Sequence, residues 1–196
     1  MFEIIERCVD HSNKIVSDLL DYSREIHLEL NECSPRNLIM ESFSMINLPE
    51  KMELLNHVAD QPRIKVDPDK IKRVFTNLIK NGIEAMSNVG KLTINSAEVN
   101  GSLRISFSDT GVGIPDEILP KLFSPLFTTK AQGMGFGLAI CKRIIEAHEG
   151  TIAVKSDCGI GTTFTVTLPI KPKIKNGGEK IWIEMPKSSL STMTRT

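Results

Sequence analysis

Asp109-Thr110-Gly111-Val112-Gly113-Ile114-Pro115 decides how this chain is read. Upstream of it, Leu103, Ile105 and Phe107 alternate with Arg104, Ser106 and Ser108, the period-2 pattern of a strand with one buried face. The strand hands over to a turn in which Asp109 faces a cleft, and Gly111 and Gly113 carry no Cβ to block a flat ligand. A carboxylate there can accept a hydrogen bond from an exocyclic amine such as that of adenine. Taken alone, D-x-G-x-G also suits an ordinary turn, so the rest of the chain has to complete a site.

Upstream, Asp67-Pro68 opens a helix, with Asp as cap and Pro as first residue. Ile71, Val74, Phe75, Leu78, Ile79 and Met86 form its buried face, while Asn77, Asn81 and Glu84 follow at i, i+4 and i+7 on a second stripe. Asparagine is a middling helix former, so two in mid-helix invite a reason. One reading is a solvated polar face. The other is that an Asn carbonyl oxygen, a neutral hard ligand, joins phosphate oxygens and water around Mg²⁺.

Downstream, Phe123-Ser124-Pro125-Leu126-Phe127-Thr128-Thr129-Lys130 precedes Gly133-Met134-Gly135-Phe136-Gly137. A helix bearing Leu138, Cys141, Ile144 and Ile145 follows and closes at Gly150. Glycines just before a helix can set free N–H groups and the positive dipole end against phosphates, and Lys130 adds a cation. The run matches neither a P-loop nor the dinucleotide fingerprint G-x-G-x-x-G. Thr151 to Ser156 and Thr162 to Leu168 alternate as two strands of a hairpin across Asp157 to Gly161.

The front of the chain is different. From Phe2 to about Ile26 there is neither Pro nor Gly, and Ile5, Val9, Ser12, Val16, Leu19, Ser23 and Ile26 form a heptad seam. Such a helix needs a partner, either its own dimer mate or an adjacent domain. His27 to Cys33 reads as a short linker strand, Ser34-Pro35 as a helix start, and Met52–Val58 and Arg63–Val66 as strands joined around Asp60-Gln61-Pro62.

Composition excludes several classes. Lys+Arg and Asp+Glu both number 24, so no global field favours nucleic acid or an anionic membrane. No apolar run reaches the ~18 residues of a membrane span. Cys8, Cys33, Cys141 and Cys158 form no C-x-x-C pair, so a reducing, cytoplasmic setting is expected.

In order and spacing, these motifs resemble the ATP-binding domain of sensor histidine kinases, of the superfamily shared with gyrase, the large heat-shock chaperone and mismatch-repair ATPases. Asn77-Leu-Ile-Lys-Asn81 is similar to its N box, Asp109–Gly113 to the first glycine box, and Phe123–Phe127 to the F box. Gly133–Gly137 and Gly159-Ile-Gly161-Thr-Thr163 are similar to the second and third glycine boxes.

The resemblance implies an α+β fold, a two-layer α/β sandwich whose mixed sheet is covered by helices on one face, with a Bergerat-type ATP site and one long helix in front. It implies a catalytic ATP-binding domain over residues 27–170. Residues 1–26 would be the second helix of a dimerisation and phosphoacceptor hairpin. Residues 171–196, rich in Lys, Gly, Ser and Thr, read as a flexible tail. Asp109 would bind the adenine amine, with Gly111 and Gly113 shaping the pocket and Thr163 serving it, and Ile114 and Leu138 would also contact the nucleotide. Asn81 would hold Mg²⁺ with Asn77 nearby, and Lys130, Gly133, Gly135 and Gly137 would serve the phosphates of ATP. Residues 114–132 would form a lid. Asn81 and Lys130 would carry the catalysis.

The hydrolytic branches resemble one another in placing a Glu four residues before the metal Asn, where it activates water. Here that position is Asn77, which cannot act as a base, and this favours phosphotransfer. His11 is followed by Ser12 and not by the acidic residue of the family's phosphoacceptor, and His27, His57 and His148 have no acceptor context either. The expected acceptor therefore lies outside this segment. The implied partners are that histidine segment, a response regulator and a second copy through the first helix, with neither nucleic acid nor membrane contacted. Two alternatives stay open: a non-catalytic ATP-sensing dimerisation module, and a protein-serine kinase of the anti-sigma type.

Overall fold

The computed structural model describes residues 16–17, 19–20, 22–87, 89–129 and 135–172. The alternating stretch before Asp109 is β5 (Ser102–Asp109), the middle of a five-stranded sheet. Its neighbours are β4 (Gly90–Val99) and β7 (Gly161–Pro169), and β2 (Met52–His57) and β6 (Thr151–Asp157) form the edges. β2 runs parallel to β4 and the other pairs are antiparallel, so the sheet is mixed. A separate two-stranded ribbon pairs β1 (Asn31–Cys33) with β3 (Ile64–Val66).

The period-2 pattern makes the sheet two-faced. Leu92, Ile94, Leu103, Ile105, Phe107, Phe164, Val166 and Leu168 are buried on one face. The residues paired between them, such as Thr93, Ser106, Ser108, Thr163 and Thr165, are polar and lie on the other. Over the apolar face lie α2 (Pro68–Ala85) and α3 (Gly137–Ala147), with α1 (Pro35–Ser44) packed on α2. The Phe75 ring of α2 meets Phe107 of β5 at 5.4 Å. This is the expected two-layer sandwich.

Both helix starts form as their sequences dictate. Ser34 Oγ accepts from Asn37 N at 3.3 Å and also donates to Asp60. Asp67 Oδ1 accepts from Lys70 N at 3.1 Å and Oδ2 from Lys70 Nζ at 3.0 Å. A side-chain cap of this kind contributes about 1 kcal/mol.

Several elements differ from expectation. The described positions of the first helix are helical through Ser23, three residues short of Ile26; positions 1–15 of its seam, with His11, lie outside the described residues. Tertiary bonds hold the linker extended: Arg143 Nη2 donates to Arg24 O at 3.0 Å, and Glu29 N donates to Asp67 Oδ2 at 3.0 Å. Only Asn31–Cys33 of the linker is a strand. β2 and β3 share no ladder, because β3 pairs back to β1 and β2 finds β4 in parallel. β4 was not expected at all. It ends in Asn100-Gly101, whose φ values of 51° and 73° are those of a tight hairpin turn.

His148 ties the end of α3 to the start of α2. It is buried at the end of α3, where its Nδ1 donates to Ile144 O at 2.7 Å and its Nε2 accepts from Asp67 N at 3.0 Å. Only the neutral ring can do both. Burial pushes its pKa below the ordinary 6.5, against the opposing pull of the Ile144 carbonyl and the Asp67 charge. The unfolded chain therefore takes up this proton first, and stability falls as pH drops through about 6.5. Denaturant unfolding at pH 7.5 and 5.5 should show that loss, up to about 1.4 kcal/mol per pH unit, and His148→Gln should flatten it.

Candidate nucleotide site

Asn77 and Asn81 lie one turn apart on α2, and Asn81 Nδ2 donates to Asn77 Oδ1 at 2.9 Å. That bond turns the Asn81 carbonyl oxygen away from Asn77. Gly137 opens α3 directly against the same pair: a Cβ at Gly137 would stand 2.7 Å from Asn77 Nδ2. The start of α3 and the Asn stripe therefore form one wall. Gly135 has φ +72°, and a Cβ there would meet the Phe127 backbone at 2.5 Å. The F box thus folds back onto the second glycine run, and Phe123 anchors edge-on against Phe164 of β7 with ring centres 6.5 Å apart. Leu138, in the first turn of α3, packs partly buried against the core. Lys130 and Gly133 lie outside the described residues.

Asp109 ends β5 on the helix-covered face, only 8% exposed. Its Oδ1 accepts from Gly111 N at 2.9 Å and from Thr162 N at 3.2 Å. Its Oδ2 takes no hydrogen bond from the described residues and faces Gly82, whose missing Cβ would lie 3.7 Å away. Burial raises the carboxyl pKa, and the two backbone N–H bonds only partly offset this. A buried acceptor with one oxygen saturated and the other unengaged is suited to a single neutral N–H donor from a ligand.

The first glycine loop is clamped from both sides. Val112 N donates to Ala85 O at 3.2 Å, and Gly159 N donates to Val112 O at 2.8 Å. A Cβ at Gly111 would come 2.7 Å from Ala85 O, and one at Gly113 would strike the Asp157 carbonyl. Within the protein, the absent Cβ atoms of these glycines make room for the end of α2 and the β6–β7 turn. Gly113, at φ +71°, also occupies backbone space that L side chains rarely adopt. Ile114 N donates to Ser156 Oγ at 2.8 Å, tying the exit of the loop to β6.

Thr163 does not join this cluster. It pairs with Ser108 on the open face of the sheet, hydroxyl to hydroxyl at 2.9 Å. The neighbouring Thr162, 4% exposed, lies beside Asp109 instead. The signal was present in the sequence: Thr162 is in phase with Phe164, Val166 and Leu168, and Thr163 is not. Ser156, bonded to both Ile114 N and Thr162, was likewise not anticipated.

The fold has counterparts among known proteins. The family profile described as histidine kinase-, DNA gyrase B-, and HSP90-like ATPase matches residues 66–172, more than half of the chain. The chain belongs to this family. Within it, the chain is 36% identical over 172 residues to the sensor histidine kinase ZraS of Escherichia coli (strain K12), covering 86% of this chain and 37% of that protein. It is 34% identical to the nucleotide-free catalytic domain of histidine kinase ThkA, with a TM-score of 0.65 over 72% of this chain and 96% of that one. A second ThkA structure, in complex with response regulator protein TrrA, matches with 32% identity and a TM-score of 0.73 over 88% of this chain and 51% of that one. The chain thus carries the histidine kinase form of the family's ATP-binding domain and spans little more than a third of the length of the ZraS relatives it matches.

Proposed function

We propose that this chain transfers the γ-phosphoryl group of ATP to a histidine in a segment outside it, for relay to a response regulator. The observation that carries the reading is the Asn77–Asn81 amide pair. The position four residues before Asn81 holds a side chain that accepts a hydrogen bond but cannot take a proton from water. A histidine acceptor needs no such base, because its imidazole nitrogen already has a lone pair.

In this reading Asp109 Oδ2 accepts from the adenine amine, within walls formed by Gly111, Gly113, Ile114 and Leu138. The start of α3 at Gly137, preceded by Gly133 and Gly135, presents backbone N–H groups to the phosphates, and Lys130 adds charge. The Asn81 carbonyl oxygen suits a hard cation, and Asn77 fixes its direction. Mg²⁺ held there would neutralise phosphate charge. Residues 114–132 close over the nucleotide, and the chain positions the γ-phosphorus in line with the incoming nitrogen. The new N–P bond forms as the bond to the bridging β,γ-oxygen breaks, and ADP leaves with that electron pair.

The first helix belongs to the acceptor hairpin in this account. Val16 and Leu19 of its seam are 55% and 52% exposed, an apolar face suited to a second copy. No helix among the described residues is long and apolar enough to cross a membrane.

The test supplies the chain with γ-labelled ATP and a histidine-bearing hairpin. The expected product is acid-labile and base-stable. An acid-stable phosphoserine product would select the serine-kinase reading, and nucleotide binding without transfer to any hairpin would select the sensing module.

A further inference from the structure

We propose that Ser156 sets the hydrogen-bond polarity of the base pocket and so determines the preference for a 6-aminopurine over a 6-oxopurine nucleotide. The inference rests on the adenine reading of Asp109. Ser156 Oγ has three neighbours: Ile114 N at 2.8 Å, Gly161 O at 3.0 Å and Thr162 Oγ1 at 2.9 Å.

A hydroxyl has one proton to give and two lone pairs to offer. The Gly161 carbonyl can only accept, so the Ser156 proton goes to it. The two lone pairs then receive the Ile114 N–H and the Thr162 O–H. Every hydrogen-bonding position of Ser156 is filled, and the proton of Thr162 is committed to it. The Thr162 oxygen keeps only lone pairs for anything else.

Beside it, Asp109 Oδ1 is saturated by Gly111 N and Thr162 N, so the carboxylate also presents only an acceptor, Oδ2. The pocket edge is therefore acceptor beside acceptor. A 6-amino group brings N–H donors to that edge. A 6-oxo group brings lone pairs against lone pairs, and in a buried site such a mismatch is costly. Without the Ser156 oxygen, Thr162 can turn its proton toward the ligand and donate to a 6-oxo group.

Ser156 acts through Thr162 and is a positioning residue, so the readout is discrimination. Calorimetric titration of the whole chain with ATP and with inosine triphosphate gives the ratio of the two Kd values. Because both ligands report on one protein, a general loosening of the loop cancels from that ratio. The unsubstituted chain should prefer ATP. Ser156→Ala should narrow the ratio by about 5-fold, the worth of about one hydrogen bond. Ser156→Cys, of similar volume but a weak acceptor, should move it the same way, and Ser156→Thr should hold it. An unchanged ratio in Ser156→Ala and Ser156→Cys, or equal weakening toward both nucleotides, would overturn the proposal. Failure of the unsubstituted chain to bind either nucleotide would instead remove the adenine reading itself, and this inference with it.

Discussion

Asp109→Asn should leave the domain folded and remove its hold on ATP. The two backbone N–H groups of Gly111 and Thr162 require an acceptor at the Oδ1 position. An asparagine satisfies them only by placing its oxygen there, which turns its NH₂ toward the ligand. Donor then faces donor across the adenine amine. Losing one charge-assisted bond and stranding a buried donor costs about 3 kcal/mol, which raises Kd for ATP by about 100-fold.

Stability should move the other way. Burial raises the Asp109 pKa, so the folded state favours the neutral carboxyl. Its ionisation weakens the fold as pH rises from the ordinary 3.8 through the raised value. An uncharged amide removes it. The thermal midpoint of Asp109→Asn at pH 7.5 should therefore equal or exceed that of the unsubstituted chain while ATP binding is lost. A variant that unfolds instead would make Asp109 a structural residue.

The second large effect belongs to Asn81. In Asn81→Ala the Asn77 side chain and the start of α3 remain, but the carbonyl oxygen that suits the metal is gone. Phosphotransfer to a supplied histidine hairpin should fall by at least about 100-fold, the scale of losing a group that acts on the transferring phosphoryl. Nucleotide binding measured with EDTA present should stay within about 2-fold, because the Asp109 pocket is untouched. Equal loss with and without metal would place Asn81 in the base pocket or the core.

What could be read in advance followed local physics. β5 was legible because its core-facing positions, Leu103, Ile105 and Phe107, are all apolar and alternate with polar residues. α2 was legible from its Asp-Pro start and its apolar stripe, and the polar stripe of Asn77 and Asn81 proved to be one bonded unit. β4 was missed because only Leu92 and Ile94 mark its buried face, whereas Ser96 and Glu98 continue that face with polar groups. Its best signal was the Asn100-Gly101 turn.

Other features are written in no single window. The parallel pairing of β2 with β4 joins residues 38 apart, such as Leu54 and Leu92. The end of the first helix is set by Arg143 and Asp67, which capture the linker backbone from far along the chain. The misplacement of Thr163 was of another kind, a one-residue error in strand parity that sends a side chain to the opposite face. Ser156 is identifiable only once the first glycine loop and the β6–β7 hairpin are in contact.

The measurement that tests the central claim most directly is calorimetric titration of the chain with ATP in the presence and absence of Mg²⁺. The account predicts a single class of adenine-nucleotide site, tighter with Mg²⁺ and weakened about 100-fold by Asp109→Asn. Absence of binding by any adenine nucleotide under both conditions would contradict it.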